Sequence, residues 1–283
     1  MSVIIVIKLI FELEKDQYDI VRKLITDVDI QINCLGVVNQ DIDGKIWVDN
    51  VDDPKTAMIV DNIWVIYLLG SSSNQEFNEE AGEIIRNIIF PLKMADVDVD
   101  REWVLDYYSD SWIPKIECEL KLVNWFRLDI WHYKLGELKH TEWREQIPEG
   151  FKLEKVDEEF LSKTHLKNHE KVTNWITKRW KSPEDFLKRG FCFYLLKDDE
   201  IISRARSDWS TENYILMHII TDEAYRKHGH ATILTAAAAE YCKQKNIDLR
   251  WFCDSQNIAS WKTAEKIGFH KFREQRIIIG EID

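Results

Sequence analysis

Residues 214–253 read, in direct succession, as a strand, a glycine-bearing loop, a helix and a second strand. Tyr214–Thr221 is rich in branched residues and carries no helical stripe, which predicts a strand. Between Gly229 and Lys245, Leu234, Ala237, Ala238, Tyr241 and Cys242 recur at i, i+3, i+4, i+7 and i+8, the buried stripe of a helix. Ile247–Cys253 returns to strand character. The alternation extends both ways. Gly150–Val156 reads as strand, and His165–Gly190 as a charged, Trp-rich helix. Phe191–Leu196 and Ile201–Ser207 form a hairpin across Asp198-Asp199. Ile258–Ile267 reads as a short helix stopped by Gly268, and Phe269–Ile279 as the last strand. The order β-α-β-β-β-α-β-α-β predicts an α/β protein with a mixed sheet flanked by helices.

The first half also reads as mixed α/β. Phe11, Tyr18, Val21, Leu24 and Ile25 predict a helix over 9–26, and Phe77, Ala81, Ile84, Ile85 and Ile88 a helix over 76–89. Short strands follow the turns at Asp43-Gly44 and Asp53-Pro54: 45–48, 57–60 and 63–69. A further strand is expected over 122–133. The turn Ile147-Pro148-Glu149-Gly150 divides the chain into two expected domains, 1–146 and 147–283. Charge follows that division. Residues 1–146 hold 15 Lys+Arg against 28 Asp+Glu, whereas residues 147–283 hold 23 against 22. The whole acidic surplus lies in the first half. An acidic balance argues against a nucleic-acid binder, which needs a basic face, and against docking on an anionic membrane. Read by halves, it hints at a cationic amine as substrate. The alternative reading is a solvated surface. The clusters Asp96/Asp98/Asp100 and Glu79/Glu80 read as solvated faces.

The five cysteines are widely spaced and contain no C-x-x-C, so neither a disulfide framework nor a metal site is expected. The apolar run at Val3–Ile7 lacks a preceding basic region and a cleavage site, and Ile63–Leu69 is too short to span a bilayer. A cytoplasmic protein is the expectation. The chemistry is carried by Ile219 to Thr232. Backbone N–H groups in a strand-loop-helix connection converge on the helix start, where the macrodipole favours an anion. Gly229 permits close approach of a phosphate, Ala231 keeps the helix start open, and Arg226 adds charge. A purely structural turn fits the same residues. Neither a Walker loop nor a G-x-G-x-x-G fingerprint is present.

Arg226-x-x-Gly229-x-Ala231 resembles the pyrophosphate loop R/Q-x-x-G-x-G/A of the GNAT superfamily of acyl-CoA-dependent N-acyltransferases. Asn257-Ile258-Ala259-Ser260 followed by Ala264-Glu265-Lys266-Ile267-Gly268-Phe269 resembles that family's second segment. Trp251-Phe252-Cys253-Asp254, Gly190-Phe191-Cys192-Phe193 and Pro148-Glu149-Gly150-Phe151 are similar to the branch of zwittermicin A resistance proteins. So are Asp43–Asp49 and Tyr67–Gly70. The resemblance implies that the first half is a degenerate second GNAT-like fold.

It also implies acetyl-CoA as cosubstrate. Its pantetheine arm would pair with the backbone of Ile219, Ile220 and Thr221. Its pyrophosphate would sit on the N–H groups of Lys227, His228, Gly229, His230, Ala231 and Thr232, beside Arg226. Asn257 would hydrogen-bond near the thioester with Ser260 assisting, although Ser260 reads equally well as a helix-start residue. The family's Tyr acid falls at Ala264 here, and no carboxylate lies within Tyr214–Thr221. His218 is then the candidate base, with a hydrogen-bonded core histidine as the alternative. Ser203 and Trp209 are candidate substrate contacts, as well as candidate core residues.

The expected activity is transfer of acetyl to the amine of a small polar molecule, an aminated antibiotic among the candidates. A protein amine and a non-catalytic acyl-CoA-binding regulatory role are the alternatives. Oligomeric state is not legible.

Overall fold

The computed structural model describes residues 10–96, 101–211 and 214–282. The chain divides into two compact units, residues 1–128 with 276–283, and residues 129–275. The sequence expectation placed the division at 146/147. Strand β6 (Trp125–Leu135) explains the difference, because from Ile130 onward it pairs antiparallel with β11 (Asp248–Asp254) of the second unit. At the far end, Ile277–Glu281 of β12 (Phe269–Glu281) pairs with β5 (Glu102–Tyr107) of the first.

In the first unit, β1 (Phe11–Glu12), β2 (Gly44–Val48), β3 (Thr56–Asp61) and β4 (Val65–Gly70) run antiparallel in sequence order. β4 then pairs parallel with β5. The helices are α1 (Ile32–Val38), α2 (Gln75–Ile84), α3 (Phe90–Ala95) and α4 (Ile113–Cys118). The helix expected over 9–26 is a 3-10 run at Lys15–Leu24, and residue 9 lies outside the described residues. The helix expected over 76–89 continues through a π turn at Ile85–Ile89 into α3. Strand β5 and helix α4 were not anticipated. Met58, Ile66, Leu68, Phe77, Trp103, Leu105 and Trp112 form the core. The termini of the charge clusters at Asp98 and Asp100 lie outside the described residues.

In the second unit the strand order is β12-β6-β11-β10-β9-β8-β7, with β7 (Phe151–Lys155), β8 (Cys192–Lys197), β9 (Glu200–Ser210) and β10 (Tyr214–Thr221). Only β10 and β11 pair in parallel among the pairings β7 to β11 and β6. The helices are α5 (Glu158–Ser162), α6 (His169–Arg179), α7 (Pro183–Arg189), α8 (His230–Gln244) and α9 (Ile258–Ile267). The single helix expected over His165–Gly190 is broken between α6 and α7. Ser182 accepts from the Asp185 N–H and Pro183 opens the new helix, a local restart signal within the charged, Trp-rich stretch.

The sheet of this unit buries one core on each face. On one side, α8 and α9 pack Leu234, Ala237, Ala238, Cys242, Ala264 and Ile267 against Phe193, Leu195, Ala205 and Met217. On the other, α5, α6 and α7 pack Phe160, Val172, Trp175, Ile176 and Phe186 against Cys192 and Tyr194. Helix α8 is buried nearly all round, Ala236 and Ala239 included, so its small residues reflect close approach on several sides. Gly268 ends α9 in the left-handed region at φ 116°. An added Cβ there would lie 1.9 Å from the Glu137 carbonyl oxygen. All five cysteines are free thiols. Among the described residues no helix is long and apolar enough to cross a membrane.

Candidate active site

The parallel pairing of β10 with β11 covers only Tyr214–Asp248, Ile215–Leu249 and Leu216–Arg250, although the strands run on to Thr221 and Asp254. Beyond Leu216 the two strands part. A register shift between Leu216 and Met217 in the β9–β10 ladder marks the divergence. The backbone of Met217–Thr221 therefore presents an edge that β11 does not pair. The gap opens into a cleft of about 830 Å³, walled by Met217–Thr221 on one side and Trp251–Asp254 on the other. That volume suits a small organic ligand.

The cleft's end is closed by the loop into α8. Tyr225, Arg226, Lys227, Gly229, His230, Ala231 and Thr232 all line it. Asp222 anchors the loop through its N–H to the Ile202 carbonyl, and Arg226 Nε donates to the Thr221 carbonyl at 3.1 Å. Lys227 and Gly229 both adopt positive φ, 66° and 83°. These turns aim the loop at the first turn of α8, whose leading N–H groups have no partner within the helix. A Cβ on Gly229 would meet nothing within 4 Å, so the space above the helix start is open. A fifteen-residue helix with an open N-terminus beside a free strand edge fits a pyrophosphate joined to an amide-bearing arm. His228 is exposed, whereas His230 is buried against Phe151 at 5.2 Å between ring centroids. Burial holds the His230 imidazole below its usual pKa, with His228 adding to the effect.

His218 stands on the cleft wall with its side chain 51% exposed. Its Nδ1 lies 3.6 Å from Asp208 Oδ2 on the neighbouring strand. Asp208 also accepts from Trp175 Nε1 and from Arg206 Nε, each at 3.1 Å on Oδ1. Sequence reading confined the search for a carboxylate to β10 and ended β9 at Ser207; the strand runs on to Ser210 and carries Asp208 with it. The signal was the alternation through Ser207-Asp208-Trp209. Burial opposes charge on Asp208, but Arg206, His218, Arg179 and the Trp175 N–H outweigh it and hold the carboxyl below its usual range. Desolvation by the concave wall lowers the His218 pKa. Asp208 raises it, and Arg206, Arg179 and Arg204 lower it again, for a net lowering from the ordinary histidine value. A neutral imidazole at physiological pH is a proton acceptor. Replacing Asp208 with Asn removes the group that raises the imidazole pKa. The acidic limb of a pH–rate profile should then move to lower pH, and a limb unmoved would break the coupling of the two residues.

Asn257 caps α9, its Oδ1 accepting from the Ser260 N–H at 3.1 Å, and Ser260 Oγ accepts from Trp251 Nε1 at 3.1 Å. Both line the cleft, with Asn257 as the N-cap of α9 and Ser260 in its first turn. Ser203 does not join them. It is fully buried, its hydroxyl donating to the Ile220 carbonyl at 3.0 Å and lying 2.7 Å from Thr221 Oγ1, so it braces the strand pair and is unavailable to substrate. The backbone of Trp209 pairs with Leu216, and its side chain lies outside the described residues. Ala264 is fully buried in the core shared with α8 and does not line the cleft. A tyrosine there would overpack that core. Ala264→Tyr should cost about 1–3 kcal/mol of stability, read as a lowered Tm. An unchanged Tm with raised kcat would show that the position opens to the cleft.

The chain matches the family model described as GNAT acetyltransferase over residues 24–278. It is 25% identical over 267 residues to the uncharacterized N-acetyltransferase YdfB of Bacillus subtilis strain 168, covering 94% of this chain and 97% of that protein. Its fold is similar to a GCN5-related N-acetyltransferase-like protein from Streptococcus suis 89/1591, with TM-score 0.70 at 20% identity, covering 93% and 98% of the two chains. It is also similar to a tandem GNAT protein from the clavulanic acid biosynthesis pathway, with TM-score 0.58 at 11% identity, covering 96% and 98%.

Proposed function

The chain belongs to the GNAT acetyltransferase family and is an acyltransferase, and we propose that it moves acetyl from acetyl-CoA to the amine of a small polar molecule in the cleft between β10 and β11. The observation that carries this reading is the parting of β10 from β11 beside the open start of α8. Acetyl-CoA, when bound, supplies an activated acyl group and a thiolate that leaves readily near neutral pH.

The residues of this chain supply the rest. The edge of Met217–Thr221 offers N–H and C=O groups to an amide-bearing arm, and Lys227–Thr232 with Arg226 hold the pyrophosphate. Asn257 uses its oxygen for capping, which leaves its amide N–H groups for the thioester region. An ammonium cannot attack, so His218 Nε2 or Nδ1 takes the amine's proton, directly or through one water. Asp208 stabilises the imidazolium that results. Cys253 lines the cleft, but burial raises its thiol pKa, which leaves it a poor nucleophile and favours direct transfer over an acyl-enzyme.

The zwittermicin A resistance branch, suggested by Trp251-Phe252-Cys253-Asp254, supports an aminated antibiotic among the acceptors. In the same reading, the first unit is a degenerate GNAT-like fold. The test is a calorimetric titration with acetyl-CoA, then a screen of amines for thiol release. Saturable binding with amine-dependent release is expected. Absence of binding overturns the proposal, and binding without turnover on any amine would favour a non-catalytic acyl-CoA-binding role.

A further inference from the structure

We propose that the accepted amine carries a carboxylate, and that Arg204 holds it on the α6–α7 side of the sheet. This rests on the acetyl-transfer reading and names the class of its acceptor.

Strand pairing sets one face of β9 and β10 apart. His218 lies opposite Arg206, and Ile220 lies opposite Arg204. Across β8, Cys192 lies opposite Arg206 and Tyr194 opposite Arg204. His218 and Ile220 line the cleft, and the two arginines sit on the strand next to them in the sheet without lining it themselves. Both are buried, Arg204 to 6% exposure. Their surroundings differ. Arg206 is matched: its Nε donates to Asp208 and its guanidinium stacks 4.6 Å above Trp175. Arg204 is not. Its Nε and Nη1 are buried without a hydrogen-bond partner. The carboxylate nearest to it, Asp222, stands 3.8 Å from Nη1, beyond hydrogen-bond reach. Asp222 is shared besides with Asn168 Nδ2 at 3.2 Å and Lys171 Nζ at 3.5 Å. Glu154, on β7 beyond β8, is held by the Tyr194 hydroxyl at 2.7 Å and by Lys163.

A buried guanidinium with unmet donors is costly unless an acceptor arrives. The local charge says which kind. Arg179, Arg204 and Arg206 all act on His218, against Asp208 there and Asp222 beside Arg204. With Lys171 beside Asp222, the basic side chains outnumber the acidic ones, so the missing acceptor is an anion, and a carboxylate matches the planar guanidinium fork as a bidentate pair. The acidic surplus of the first half hinted at a cationic substrate; beside this cleft the surplus is positive, because the side chains that β9 turns to this face are arginines. The span also fits. His218 and Arg204 are diagonal neighbours across the β9–β10 pair, roughly 7–8 Å apart at Cα. One end of a small amino acid can meet the base while the other meets the guanidinium.

The test uses the full-length protein saturated with acetyl-CoA, whose binding is measured separately. Thiol release is followed with the common amino acids, each beside its carboxamide and its decarboxylated amine. We expect turnover to concentrate on the carboxylate-bearing members, with kcat/KM at least tenfold above both counterparts. Equal or better use of the carboxamides or plain amines overturns the proposal, and so does binding of acetyl-CoA with no turnover of any amino acid. Failure of acetyl-CoA to bind would overturn the acetyl-transfer reading itself, and this inference with it. Arg204→Gln should raise KM for the preferred amino acid at least tenfold while leaving KM for its carboxamide and the acetyl-CoA Kd unchanged. Should that variant not fold, Arg204→Lys, which keeps the charge beside Asp222, should show a smaller rise on the same substrate. A change shared equally by acid and amide would mark a purely structural role and overturn the assignment.

Discussion

Replacing His218 by alanine should lower kcat by about 10²–10⁴-fold, the usual contribution of a positioned general base, while leaving acetyl-CoA affinity unchanged. The side chain stands on the cleft wall, reached by solvent yet desolvated by the surrounding protein. Because burial and three arginines hold its pKa below that of an ordinary histidine, the wild-type protein should keep its activity to lower pH than a free imidazole would allow. Activity should then drop as the imidazole protonates, since a proton already bound cannot be taken from the amine. The alanine variant should lose that acidic limb together with the rate. A variant with a wild-type pH–rate profile would remove His218 as the base and leave a water chain in its place. Removal of the imidazole should hardly disturb the fold, since the side chain is half exposed and stands 3.6 Å from Asp208, beyond hydrogen-bond reach.

Gly229→Val should weaken acetyl-CoA binding by about 10²-fold, equivalent to about 2.7 kcal/mol. Two effects combine. At φ 83° a branched residue is strained by about 1–2 kcal/mol, which tends to pull the loop from its observed path. The side chain would also project into the open space over the start of α8, the proposed pyrophosphate site. Gly229→Ala separates these effects. It meets the same backbone restriction with one methyl group in a space that has room for it, so its loss should be distinctly smaller. Calorimetric titration of both variants gives the comparison. Wild-type affinity in Gly229→Val would remove the anion site from α8.

The elements around the cleft were legible because their signals are local. Ile258–Ile267 ends where Gly268 permits the left-handed cap, and the hairpin at Asp198-Asp199 has a two-residue loop. The helix expected from Gly229 runs from His230 to Gln244. Where competing local signals met, the reading failed. The helix-like composition of 165–190 masked the restart at Ser182-Pro183, and the turn at 147–150 suggested a boundary that β6 overrides by pairing with β11. Ser203 looked available because hairpin strands commonly border a cleft. Its hydroxyl is instead used within the β9–β10 pair.

By itself, the sequence determined the α/β alternation, the glycine loop ahead of α8, and His218 as the one side chain on its strand with a pKa suited to a base. Each depends on residues within a few positions of one another, where periodicity and backbone preference act. Tertiary structure alone decided that Asp208 stands behind His218, that Arg204 and Arg206 share its face, and that Ala264 turns into the core. The first two depend on strand register, where a one-residue slip would send a strand's side chains to the opposite face, and the third on how α9 packs beside α8. Register is fixed by the packing of whole faces against α6, α7 and α8, which no short stretch of sequence encodes.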